Sequence, residues 1–318
     1  MLAHRVIAWV LSVGVIAPAS GTVWGQSYPS RPIRIITVEA GAGADYVARL
    51  IAQGISIPLG QSVVVVNQGL VAVQVVQNSP PDGHTLLTYG GTFWLGPLMR
   101  ATSYEPLRDF VPIVGTTISP TVIAVHPSLP VKSVKDLIVL ARARPGVLNF
   151  GSGSVGSAGH LAGELFKSMA GVDIVAINYK GNGPSLNAAL VGEVEVIFAN
   201  AAVIMPHAKS GRLRALATAS DRPSALAPGL TTVAATVPGY ESASLSGMFA
   251  PAKTPESIIR RLNQEIVRVL NAPDTKDRLF AQGLETVGSS PEGFEAKIKS
   301  EIVRMGRVIN DLGIGIRR

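Results

Sequence analysis

The chain has 318 residues, 47% of them hydrophobic and 15% charged, with a net charge of +7 and no cysteine. This balance excludes intrinsic disorder and allows two domains of ordinary size, and the missing thiol excludes disulfides, thiolate catalysis and a lipid anchor behind a leader. The basic groups Arg142/Arg144, Arg212/Arg214, Arg260/Arg261 and Arg317/Arg318 are scattered, and 5% aromatic residues leave little to stack on bases, so no nucleic-acid partner is expected.

Residues 1–25 read as an export signal. Arg5 supplies the basic start and Val6 to Ile16 an apolar run too short to cross a bilayer. Cleavage is expected after Ala19, in Ala17-Pro18-Ala19, or after Gly25, in Val23-Trp24-Gly25. The mature protein is therefore expected in the periplasm. Beyond the leader, Ile33 to Val38 reads as a buried strand and Asp45 to Ile55 as a helix with Val47, Leu50 and Ile51 on one side. Val63 to Asn67 is the next strand, Gln68 to Asn78 is weakly patterned, Pro80-Pro81-Asp82-Gly83 is a turn, and Thr85 to Tyr89 is a third strand. This alternation predicts a mostly parallel sheet covered on both faces.

Val111 to Val114 and Thr121 to Val125 read as two further strands, and His126-Pro127-Ser128-Leu129-Pro130 as a crossing between domains. Ser133-Val134-Lys135-Asp136 has the form of a capping box opening a helix through Arg142. Then come strand Leu148 to Phe150, helix Ala158 to Met169, strand Ile174 to Tyr179, a Gly181-Asn182-Gly183-Pro184 turn, helix Ser185 to Val191 and strands Val194 to Ala199 and Leu213 to Ala219. Leu245 to Ala250 is a returning strand. Thr254 and Ser290, each followed by proline, read as N-caps of the last helices. Two crossings divide the chain into lobe 1, residues 26–126 with 246–318, and lobe 2, residues 127–245.

The loop Asn149 to His160, NFGSGSVGSAGH, leads from a strand end into a helix. Small residues there let several backbone N–H groups converge where the helix dipole is positive, a socket for an anion. Glu39-Ala40-Gly41-Ala42-Gly43-Ala44-Asp45 is a second loop of this kind. Gly151-x-Gly153-x-x-Gly156 also matches a dinucleotide fingerprint, but Asp173 precedes the second strand instead of following it. Carboxylate socket, dinucleotide socket and plain tight connection all remain open on this loop alone. Asp45 serves either a ligand or the helix dipole, and His160 is expected to pack or cap. No Gly-x-Ser-x-Gly elbow, metal-ligand spacing or acid-base pair converges, so neither an enzyme nor a cofactor is expected.

Together these pieces resemble the tripartite tricarboxylate transporter receptors, the Bug-type extracytoplasmic solute-binding proteins. The resemblance rests on Tyr28-Pro29-Ser30-Arg31-Pro32-Ile33, Asp45-Tyr46-Val47-Ala48-Arg49, Pro81-Asp82-Gly83-His84-Thr85-Leu86-Leu87, Asp109-Phe110-Val111-Pro112-Ile113 and Pro127-Ser128-Leu129-Pro130. It continues through the Gly-Ser loop with His160-Leu161-Ala162-Gly163-Glu164, Tyr179-Lys180-Gly181, Gly211-Arg212-Leu213-Arg214-Ala215 and Phe249-Ala250-Pro251. It implies an α/β type II periplasmic binding fold, two lobes around a hinged cleft, closing on a small carboxylated ligand. The ligand residues it implies are Gly41, Ala42, Gly43, Asp45, Gly91 and Thr92 from lobe 1. Lobe 2 would supply Ser152, Gly153, Ser154, Gly156, Ser157, Tyr179 and Asn200.

The implied partners are membrane transporter subunits, or alternatively the ectodomain of a sensor kinase, served by a monomer. This chain departs from the family pattern where Thr37-Val38-Glu39-Ala40-Gly41-Ala42 replaces Pro-Phe-x-x-Gly-Gly. It departs again where Ala188 and Ala199 replace aspartates, which argues against an ammonium-bearing ligand.

Overall fold

The computed structural model describes residues 28–38, 40 and 43–316. The leader with both cleavage points, Glu39, Gly41, Ala42 and the Arg317-Arg318 tail lie outside the described residues. The first half comprises β1 (Ile33–Thr37), α1 (Gly43–Leu59), β2 (Val63–Asn67), α2 (Ala72–Gln77), β3 (Thr85–Gly90), α3 (Thr92–Met99) and α4 (Pro106–Asp109). The long strand β4 (Phe110–Val125) leads to α5 (Val134–Ala143), β5 (Asn149–Ser152), α6 (Ala158–Ala170) and β6 (Val175–Asn178). These are followed by α7 (Asn182–Val191), β7 (Val196–Asn200), α8 (Ala201–Lys209) and β8 (Arg214–Thr218). β9 (Ala243–Pro251) returns to the first half, where α9 (Glu256–Asn271), α10 (Pro273–Ala281), β10 (Glu285–Thr286) and α11 (Pro291–Asp311) finish the chain.

The strands lie in the order β2-β1-β3-β9-β4-β7-β5-β6, with β10 and β8 also on β4. The outer parts are parallel, β1 with β2 and β3, and β5 with β6 and β7, whereas β9 and β4 run antiparallel through the middle. β4 pairs with β9 as far as Pro120↔Ala243 and with β7 from Thr121↔Asn200 onward. The two separate strands expected around residues 111–125 are therefore one, and the chain changes partners at Pro120/Thr121, ahead of His126. Prolines lack the ladder N–H, but Pro112 stands at a register shift and Pro120 where the partner changes, so neither breaks the strand.

Local rules account for most of the elements. The Ser133 hydroxyl accepts the Asp136 N–H at 3.1 Å while the Asp136 carboxylate accepts the Lys132 N–H at 3.0 Å, the reciprocal bonds of a helix start. Ser290 accepts the Gly293 N–H at 3.0 Å. Thr254 behaves otherwise: its hydroxyl donates to the Pro251 carbonyl at 2.7 Å, and Pro255 holds the N-cap position of α9. The expected Gly181 to Pro184 turn is largely the first turn of α7, where the missing N–H of Pro184 costs nothing. Helices α3 and α8, not foreseen, carry Pro97 and Pro206, which hide a helical pattern from a reading that treats proline as a breaker. The weakly patterned stretch after Asn67 contains α2.

Two layers flank the first half of the sheet. On one face, Val47, Ala48, Ile51 and Ile55 of α1 join Ile259, Leu262 and Ile266 of α9 in one apolar cluster. The other face forms a larger cluster that runs from Phe93, Trp94 and Phe249 to Phe150, Phe166 and Phe198 of the second half. Helix α11 connects them, because Phe294, Ile298, Met305 and Val308 belong to that cluster and the helix packs on both α3 and α6. Among the described residues no helix is long and apolar enough to cross a membrane.

Candidate functional site

The end of β1 and the start of α1 are held by a polar knot. Asp45 is 4% exposed; its carboxylate accepts from Asn67 Nδ2 at 2.9 Å and from Arg49 Nε at 3.0 Å. Asn67 Nδ2 also donates to the Val38 carbonyl at 3.1 Å, and the Arg49 guanidinium donates to Asn67 Oδ1 at 3.1 Å. These bonds fasten the exit of β1 to β2 and to the first turn of α1, which is the work Asp45 does here. Gly43 begins the helix and is exposed. Asp45→Ala should lower stability by about 1–3 kcal/mol, since it leaves Asn67 short of an acceptor. Urea unfolding measures this, and Arg49→Ala, at a largely exposed position, should cost less.

In the second half, β5 ends on Ser152, buried, whose hydroxyl donates to Asn178 Oδ1 at 2.6 Å and whose carbonyl accepts the Tyr179 N–H at 3.0 Å. Gly153 is buried because α7 comes close: an added Cβ would stand 2.8 Å from Asn182 Oδ1. Ser154 is exposed, and its carbonyl accepts the Ser157 N–H at 2.9 Å. Gly156 turns the chain at φ +79°, and its N–H donates to His160 Nδ1 at 3.3 Å, while the Ser157 hydroxyl caps α6 by accepting the His160 N–H at 3.4 Å. Burial pushes the His160 pKa down and favours the neutral ring, in which Nδ1 can accept the Gly156 N–H and so shape the loop. Among the described residues, no protein group accepts the N–H of Ser154 or Val155. Both lie in the loop just ahead of the Ser157 cap of α6.

A cavity of about 250 Å³ lies between the halves. Gly91 and Thr92 at the start of α3, Gly156 and Leu161, Ser244 to Ser246 of β9, and Glu301 and Met305 of α11 line it. The second-half loop reaches across, since an added Cβ on Gly156 would stand 3.0 Å from Met99 Sδ. Of the residues expected from sequence, Gly91, Thr92 and Gly156 thus wall one space, whereas Gly43, Asp45, Ser152, Gly153, Ser154, Ser157, Tyr179 and Asn200 do not line it. The Tyr179 hydroxyl donates to Glu193 at 2.9 Å, and Asn200, half-buried, precedes α8 without capping it.

The sequence reading passed over Glu301. Its Oε2 accepts from Trp94 Nε1 at 2.9 Å, and burial, the largest influence, raises its pKa. The signal was present: a carboxylate inside the apolar stripe Phe294, Ile298, Met305, Val308 has an unusual place for a charge.

The family model described as tripartite tricarboxylate transporter family receptor matches residues 47–314. BugT of Bordetella pertussis is 32% identical over 318 residues, which cover 97% of this chain and 96% of BugT. Among solved structures, Rpa4515 of R. palustris with adipate is 35% identical with a TM-score of 0.70, over 91% of this chain and 99% of that one. A TctC solute binding protein from Polaromonas, without ligand, is 25% identical with a TM-score of 0.84, over 90% of this chain and 100% of that one.

Proposed function

Because the chain belongs to the family of tripartite tricarboxylate transporter receptors, solute-binding proteins with a periplasmic-binding fold, we propose that it captures a small carboxylated organic anion in the periplasm and delivers it to a membrane transporter. The observation that carries this reading is the meeting of Gly91 and Thr92 from one half with Gly156 from the other around a single cavity, Gly156 lying in the loop that leads into the start of α6. Strand ends in α/β sheets open on such crevices, and a helix start favours negative charge. Charge-assisted hydrogen bonds of about 1.5–3 kcal/mol each, together with burial of the ligand's carbon chain, would supply the roughly 8 kcal/mol of micromolar capture. The adipate held by the Rpa4515 neighbour supports the ligand class. The proposed lobes are residues 26–126 with 246–318 and residues 127–245, joined through β4 and β9, and the ligand would close them by bonding to both.

A thermal-shift panel of mono-, di- and tricarboxylates tests this. A ligand at about 100 times its Kd adds about 2.7 kcal/mol, so at least one member should raise Tm by about 4 °C or more. A folded sample that responds to none of them would end the proposal.

A further inference from the structure

We infer that Glu301 makes the interlobe cavity a subsite for the far end of the ligand, one that accepts a hydrogen-bond donor, hydroxyl or ammonium, and rejects a second ionised carboxylate. This rests on the reading of the protein as a carboxylate receptor and adds which carboxylates it prefers. The walls around Glu301 are mostly apolar, with Leu161, Leu245 and Met305 sharing the cavity with it, and the other polar side chains there are the uncharged hydroxyls of Thr92, Ser242, Ser244 and Ser246. One carboxyl oxygen is taken by the Trp94 indole, and a Cβ added to Gly91 would lie 3.7 Å from the other, Oε1. Oε1 makes no hydrogen bond among the described residues, and it stands next to the α3 start that walls the same space.

The charges packed around Glu301 do not neutralise it by direct pairing. Lys297 bonds to Glu241 at 2.7 Å and to Asp221 at 2.9 Å, and Arg304 faces Glu241 at 3.4 Å. Burial opposes ionisation of Glu301, Glu241 acts in the same sense, and the Trp94 bond, Arg304 and Lys297 act against it. A ligand carboxylate arriving at Oε1 would set two anions side by side in a mostly apolar space that holds no cationic lining residue, which is avoided only if the pair holds one proton. A hydroxyl or an ammonium meets no such barrier. An ammonium would find in Glu301 the carboxylate that Ala188 and Ala199 do not provide.

The test is calorimetric titration of the purified protein and of Glu301→Gln with four six-carbon probes: hexanoate, 6-hydroxyhexanoate, 6-aminohexanoate and adipate. At pH 8 the unaltered protein should bind the hydroxy or the amino acid at least about tenfold more tightly than adipate, and the stronger of the two identifies the donor. Adipate should tighten as pH falls from 8 to 6, with uptake of up to one proton, while 6-hydroxyhexanoate stays level. In Glu301→Gln the amide can donate, so adipate should gain about tenfold at pH 8 and lose its pH dependence. Equal, pH-independent affinities in the unaltered protein would overturn the role of Glu301 whether or not the variant folds, and leave the receptor reading standing. Binding of no probe would overturn the Glu301 subsite, and the wider carboxylate panel decides separately whether the receptor reading stands.

Discussion

Gly159→Val should cost about 3 kcal/mol of stability and sharply weaken ligand capture. A Cβ at Gly159 would stand 2.5 Å from the Phe198 carbonyl oxygen, a backbone atom of β7 that cannot rotate away. One turn later, a Cβ at Gly163 would lie 2.3 Å from the Phe150 ring, which is fully buried and packs edge-on against Phe198. These two glycines, four residues apart on one helix face, seat α6 directly on β5 and β7. A better helix former gains about 1 kcal/mol at most, less than the cost of overpacking, so the clash decides the sign. Relief requires α6 to move outward, and with it the Ser157 cap and the N–H groups of the preceding loop. Urea unfolding would show the midpoint drop, and calorimetry the lost affinity. An unchanged midpoint would mean that the helix seat is softer than the packing implies.

Ser154→Asp isolates electrostatics from packing. Ser154 is exposed, and its side chain makes no hydrogen bond among the described residues, so the unliganded protein should keep its Tm. The new carboxylate would compete for the N–H groups of Ser154 and Val155 and repel a ligand anion. Affinity for carboxylates should fall at least about tenfold, or 1.4 kcal/mol. Ser154→Ala, which adds no charge, should bind nearly as the parent does. Equal affinity in the aspartate variant would reduce this loop to a connection between β5 and α6.

The legible parts of the fold were those set within a few residues. The capping at Ser133 and Ser290, the burial stripe of α9 and strand β2, Val63–Asn67, follow from short-range hydrogen bonding and periodicity. Errors gathered around proline. Pro120 lies in the gap between two expected strands that are one, Pro97 and Pro206 lie inside the unforeseen helices α3 and α8, and Thr254 closes a turn where a cap was expected. In each case the outcome depends on whether a missing N–H was needed, and only the neighbouring strand or helix decides that.

The candidate site divides in the same way. The loop that brings Gly156 to the cavity was visible because glycine and serine between a strand and a helix have a local meaning, whereas Gly91 and Thr92 followed only from the family resemblance. Glu301 lies 207 residues from the Trp94 indole that holds it, and no spacing rule spans that distance. By itself, the sequence determined the α/β class, the receptor family and the capped helix starts at Ser133 and Ser290, because these rest on composition, motif and contacts among near neighbours. The tertiary structure alone decided where β4 changes partners, how α11 ties the two halves together, and which carboxylate faces the cavity between them. The reason is physical: these features depend on side chains far apart in the chain being buried against one another, and burial is a property of the packed molecule.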